Sequence, residues 1–95
     1  FVAEPERAVR LSKRAFDYAQ RAACIDQVAL CAALKSPFDA WEAAVNAQSG
    51  EQAAVRLYAL GSAWAGYIQT HSDDYAAIAA IPRVSLLLER AVTLE

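Results

Sequence analysis

The sequence is poor in residues that interrupt helices and in residues that build metal or catalytic sites. Its 95 residues include three glycines, three prolines, one histidine and no methionine. Glycine and proline fall only where a helix would begin, end or pack tightly, which favours long helical segments. Alanine, the strongest helix former, is abundant. We therefore expect an all-α chain with a thin, closely packed core.

Motifs for nucleophilic, nucleotide or metal chemistry are also missing. No serine lies in a G-x-S-x-G turn, and no E-x-x-H pair is present for a di-iron site. Gly61 and Gly66 are not followed by the Lys-Ser or Lys-Thr of a phosphate-binding loop. His71, Asp73 and Asp74 lie together, but no second cluster completes a metal shell. We predict a protein that is not an enzyme and has no cofactor and no metal.

Long apolar runs and a strong charge imbalance are absent as well. No segment approaches the ~20 apolar residues of a membrane span, and the net charge is only −2. The mean hydropathy is +0.16, which is high for a small domain that leaves roughly 40% of its unfolded-state surface exposed. We therefore expect a protein partner or a second copy of the chain to cover apolar surface, with a homo-oligomer favoured.

The most informative pattern is an apolar stripe near the start of the chain. Its residues recur at alternating steps of four and three, the spacing of one helix packed along another. The small side chains in it let a neighbouring backbone approach closely. We predict that it packs against a strip of the third helix formed by Gly61, Trp64 and Ala65. The stripe consists of Leu11, Ala15, Tyr18, Ala22, Ile25, Ala29 and Ala32.

The breaks in this pattern predict one elongated, up-and-down bundle of four to five helices over residues 1–95. The first helix is the longest, and because only Asp26 and Gln27 are polar in its second half, residues 22–34 are expected at the centre of the bundle. The absence of an initial methionine suggests a processed product or excised domain, and Leu94-Glu95 fit a cloning scar. The predicted helices cover about 4–34, 37–48, 51–70 and 72–93, with a kink or a break expected at 80–82. The sequence fits equally a turn at 48–50 and a kink through which the second helix continues into the third.

The two cysteines are predicted to be free. Cys24 and Cys31 are seven residues apart, and two turns of a continuous helix separate them by roughly 10 Å, too far for a disulfide. We interpret them as small apolar residues and, since free thiols suit a reducing compartment, predict a cytoplasmic protein.

Four arginines form a ribbon along the first helix: Arg7, Arg10, Arg14 and Arg21. Such ribbons are usually solvated, but they also fit an acidic protein surface. Nucleic acid is not expected, because Asp17 interrupts the ribbon and the whole chain is acidic.

These observations predict a non-catalytic helical module for protein–protein interaction or oligomerisation. The arginines would orient the partner, and the small-residue faces would pack against it. The alternative is an amphipathic helical protein that coats a lipid or polymer granule. The alanine-rich composition is similar to that of several bacterial helical families, but no motif selects one.

Overall fold

A chain with so few helix breakers folds into helices joined by short turns. In a computed structural model, which describes residues 5–94, no strand occurs and the helices form a bundle of 40 × 25 × 22 Å. The predicted all-α, elongated bundle with a long first helix is confirmed; its predicted start at residue 4 lies outside the described part. The helices are α1 (Pro5–Asp26), α2 (Val28–Ala33), α3 (Phe38–Asn46), α4 (Glu51–Thr70), α5 (Tyr75–Ala79) and α6 (Ile81–Leu94).

Helix α4 lies at the centre and packs against α1 on one side and α6 on the other. The hydroxyl oxygens of Ser12 and Thr70 are 2.6 Å apart at one end of the α1–α4 pair. Asp26 and Arg56 lie 3.9 Å apart at the other end, so the two helices are antiparallel. Phe16 stacks on Trp64 between these ends, with ring centroids 5.2 Å apart.

Two arginines of α6 hold the two ends of α3. Arg83 donates a hydrogen bond to the carbonyl oxygen of Ser36 at 2.6 Å, and Arg90 donates to that of Gln48 at 2.9 Å. Between them, Trp41 is fully buried and its indole N–H donates to the carbonyl oxygen of Arg83 at 3.2 Å. Because a buried indole N–H needs a partner, this bond fixes the ring orientation.

The buried face of α1 is rotated from the predicted stripe. Phe16, Ala19 and Ala23 contact the core, each one residue after a member of the stripe, which corresponds to a rotation of about 100°. The expected packing of the stripe against α4 is therefore corrected. The stripe residues Leu11, Ala15, Tyr18, Ala22, Ile25, Ala29 and Ala32 are all exposed.

The face that is buried carries two polar residues, which made it less prominent in the sequence. Ser12 is paired with Thr70, and the buried Gln27 donates from its amide to the Gln48 side chain at 2.9 Å. Since buried polar groups that find partners are tolerated, these residues do not exclude the face from the core.

The first helix is also shorter than predicted. Helix α1 ends at Asp26, and Gln27 leaves the helical conformation with φ −134° and ψ 71°. The expectation that residues 22–34 are enclosed on all sides is wrong as well: Leu30 is fully buried, but Ile25 and Val28 are exposed.

Gly61 of α4 faces α6 rather than α1, whereas Trp64 stacks on Phe16 of α1. Gly61 and Trp64 are buried and Ala65 is half-buried. A Cβ added at Gly61 would lie 2.8 Å from Cδ2 of Leu88. Close approach of α4 to α6 therefore depends on Gly61.

Gly61→Ala and Gly66→Ala are expected to differ in their effect on stability. Both remove the helix penalty of glycine, about 0.5–1 kcal/mol, but a Cβ at Gly66 meets nothing within 4 Å. Gly66→Ala should therefore raise the free energy of unfolding in urea by about 0.5–1 kcal/mol. Gly61→Ala should be less stable than Gly66→Ala by about 1–3 kcal/mol, because Leu88 has to move. Equal gains from both substitutions would contradict the α4–α6 packing.

Candidate functional site

The two cysteines are joined in a disulfide, which corrects the prediction of free thiols. The bond links Cys24 in α1 to Cys31 in α2, with the Cα atoms 4.7 Å apart. The predicted separation assumed one continuous helix, whereas the chain turns at Gln27 between the two residues. The only signal in the sequence was the pair itself, seven residues apart. The disulfide also removes the basis of the cytoplasmic prediction, which rested on free thiols.

One exposed apolar surface is the outer face of α1, defined here as Leu11, Ala15, Tyr18, Ala22 and Ile25. All five are exposed, with Tyr18 at 63% and Ile25 at 77% of their full areas. Single exposed apolar residues are common, but a contiguous line of them often marks a binding surface. The outer face therefore has a shape and composition that suit packing against another helix.

The four arginines lie along one edge of this outer face. Arg7, Arg10, Arg14 and Arg21 are all exposed. In residues 5–94 the ion pairs are Lys13–Asp17 and Arg56–Asp26, so none of the four pairs with a described carboxylate. The Arg21 guanidinium lies 4.9 Å from the Tyr18 ring centroid, which joins the basic edge to the apolar line.

A second apolar surface lies between α4 and α6. It is a groove of about 680 Å³, and Tyr58 and Val92 on its walls are 62% and 70% exposed. Glu51 is the charged residue that lines it. Its exposed residues match those of the outer face in type and exposure, but no arginine lines it.

The single histidine has a structural role in the described chain. Nδ1 of His71 lies 2.8 Å from the carbonyl oxygen of Tyr67, and the two rings stack with centroids 4.0 Å apart. Nδ1 also lies 3.0 Å from the hydroxyl oxygen of Thr70, so the ring is held against the last turn of α4. Among residues 5–94 no three His, Cys, Asp or Glu side chains form a group that could hold a metal.

Residues 2–95 match the model of the family TAtT, described as the TRAP transporter T-component. No curated protein and no solved structure matches the chain. In the described part, no helix is both long enough and apolar enough to cross a membrane.

This family assignment overturns the function predicted from the sequence. The non-catalytic protein–protein interaction or oligomerisation module, and the alternative of an amphipathic helical coat on a lipid or polymer granule, both conflict with a transporter component. The predictions of a non-enzymatic role and of a protein partner agree with the family description at a general level. The sequence contained no short motif that could have identified the family.

Proposed function

Because the chain belongs to the TRAP transporter T-component family, we propose that it is an accessory subunit that docks on another protein subunit of the transporter through the outer face of α1. The observation that supports this most strongly is the combination, on one helix, of a contiguous apolar line with a basic edge that pairs with no carboxylate of residues 5–94. A transporter component has to contact the rest of its transporter, and this surface is suited to that contact.

The apolar line would supply most of the binding free energy. Tyrosine and arginine are enriched among residues that dominate protein interfaces, and Tyr18 and Arg21 already lie in contact. Alanines at Ala15 and Ala22 leave room for the partner backbone to approach. The fitting partner is therefore a helix that presents large apolar side chains along one face.

The basic edge would select the orientation and the partner. None of the four arginines forms an ion pair with a carboxylate of residues 5–94. They therefore favour a partner that has an acidic surface beside its apolar line. Charge pairs at the edge of an interface act mainly on the association rate and weaken as salt increases, because the Debye length falls from about 10 Å at 0.1 M to about 3 Å at 1 M. The docking should therefore depend on salt.

The disulfide supports a location outside the reducing cytoplasm. Stable disulfides form in oxidising compartments and are rare where thiols are kept reduced. Since Cys24 is exposed and Cys31 is only half-buried, a cytoplasmic reductant could reach the bond. We therefore place the docking event in an oxidising compartment.

A binding titration with matched surface variants tests the proposed function. The chain is titrated by calorimetry against the other purified protein subunits of a TRAP transporter from the same organism. The double variant Tyr18→Ala/Ile25→Ala should raise Kd by about 30-fold, equivalent to about 2 kcal/mol, because about 1.4 kcal/mol corresponds to tenfold. The control Tyr58→Ala/Val92→Ala removes equally exposed residues of the α4–α6 groove and should change Kd by less than about twofold.

Two outcomes would contradict the proposal. One is binding that the groove variant weakens and the outer-face variant leaves unchanged. The other is absence of binding to every transporter subunit together with concentration-dependent mass of the chain alone in sedimentation, which would assign the outer face to a second copy.

A further inference from the structure

The disulfide and a continuous helix exclude each other. Cys24 and Cys31 are seven residues apart, so a helix running through both would separate their Cα atoms by about 10.5 Å along its axis. In the structure the Cα atoms of the two cysteines are only 4.7 Å apart. The bond therefore exists only when the helix is interrupted between the two cysteines.

Nothing else in the local sequence requires the interruption. Residues 22–34 contain neither glycine nor proline, and Gln27 has no side-chain hydrogen bond that caps the start of α2. The first amides of α2, at Val28, Ala29 and Leu30, consequently lack the i−4 carbonyl partners that a continuous helix would provide. Without the disulfide, helix propagation through Gln27 would satisfy these three amides.

A continuous helix would also keep two of the buried residues of this segment, Gln27 and Leu30, on the core side, whereas the buried Ala33 would turn about 80° away from Ala23 and depends on the interruption for its burial. Leu30 follows Ala23 by seven residues, which is close to two full turns, so both lie on the same face. Gln27 follows Ala23 by one turn and stays on that face too. The interruption is thus not needed to bury Leu30, which is fully buried in the structure.

We propose that Cys24 and Cys31 form a redox lock, in which oxidation converts a helix running through residues 5–33 into the two-helix elbow at Gln27. In the continuous form, the exposed apolar line of α1 would extend past Ile25 to Ala29 and Ala32. In the oxidised form it ends at the elbow. The consequence for docking rests on the proposed function, whereas the change of helix does not.

The chemistry of the lock is a two-electron exchange with a dithiol. One thiolate of the dithiol attacks a cysteine sulfur, the Cys24–Cys31 bond breaks, and a mixed disulfide forms. The second thiolate of the reagent then displaces the remaining cysteine, so the reagent leaves as its own disulfide and two protons complete two free thiols. Oxidation is the reverse exchange with a disulfide of a dithiol oxidase.

Amide hydrogen exchange on the isolated chain tests the lock without any partner. The oxidised chain, the chain reduced with dithiothreitol and the variant Cys24→Ser/Cys31→Ser are compared by NMR. The amides of Val28, Ala29 and Leu30 should exchange at least about tenfold more slowly in both forms that lack the bond. Unchanged exchange at Leu57 and Leu60 in α4 serves as the control for the fold.

The outcomes separate the lock from the docking proposal. Equal or faster exchange at the three amides in reduced chain and variant would overturn the lock, because the interruption would then persist, or fray, without the bond. If exchange slows, titration of oxidised and reduced chains against the transporter subunits should differ in Kd by at least about fivefold. Equal affinities would overturn the link to docking, and absence of binding in both forms would contradict the proposed function instead.

Discussion

Replacement of Trp41 by alanine is expected to lower the free energy of unfolding by about 3–5 kcal/mol, as for other buried tryptophans. Trp41 is fully buried, packs edge-to-face on Trp64 with ring centroids 5.9 Å apart, and donates to the carbonyl oxygen of Arg83. A domain of this length has a total stability of about 5–14 kcal/mol. Trp41→Ala therefore removes a large part of it, as measured by urea unfolding.

Two further variants separate the causes. Trp41→Phe keeps an aromatic ring but loses the N–H donor and some volume, so it should cost about 1–3 kcal/mol. Tyr75→Ala removes an aromatic ring that is 91% exposed and should change stability by less than about 0.5 kcal/mol. A loss below about 1 kcal/mol for Trp41→Ala would show that this residue is not at the centre of the core.

Reversal of two arginine charges at the edge of the outer face should weaken docking by about 100-fold. Arg14→Glu/Arg21→Glu replaces attraction to an acidic partner surface by repulsion, and unfavourable pairs of like charge cost several kcal/mol. The folded chain should be little affected, because both arginines are exposed and have no described ion pair. The effect is measured as Kd at about 0.1 M salt, where charges still interact over roughly 10 Å.

Lysines elsewhere provide a control with the same change in net charge. Lys13→Glu/Lys35→Glu also takes the net charge from −2 to −6, since each reversal lowers it by two, but both lysines lie off the outer face and are exposed. This control should weaken docking by less than about fivefold. Equal losses from the two pairs would show that total charge, not the arginine edge, governs binding.

The helical architecture was predictable because it follows from local features. Few breakers, abundant alanine and the turns around Pro37 and Gly50 define where helices begin and end, and α4 matches its predicted range of 51–70. Trp64 of α4 lies in the core, as its place on the inward stripe of the predicted helix 51–70 suggested. These features depend on residues close in sequence.

The orientation of the first helix was not predictable in the same way. Alanines occur on several sides of α1, so two faces were apolar enough to be buried. The choice between the two faces depends on residues of α4: Thr70 forms a hydrogen bond with Ser12, and Trp64 stacks on Phe16. Such partners are about fifty residues away in sequence and leave no local pattern.

The interruption at Gln27 does not follow from the cysteine spacing alone. A continuous helix keeps Cys24 and Cys31 too far apart to bond, and their bonding excludes that helix. A pair of cysteines at this spacing should therefore be considered with the helix both continuous and broken.

Site-specific crosslinking shows directly whether the outer face of α1 contacts another subunit of the transporter. A photoreactive benzoylphenylalanine is placed at Tyr18, at Tyr58 in the α4–α6 groove, or at Tyr75, and each chain is irradiated in the assembled transporter. All three positions are exposed aromatic sites, so side-chain size and accessibility are comparable. An adduct with a transporter subunit is expected from position 18 alone. An adduct from position 58 or 75 with none from position 18 would show that another surface contacts the transporter.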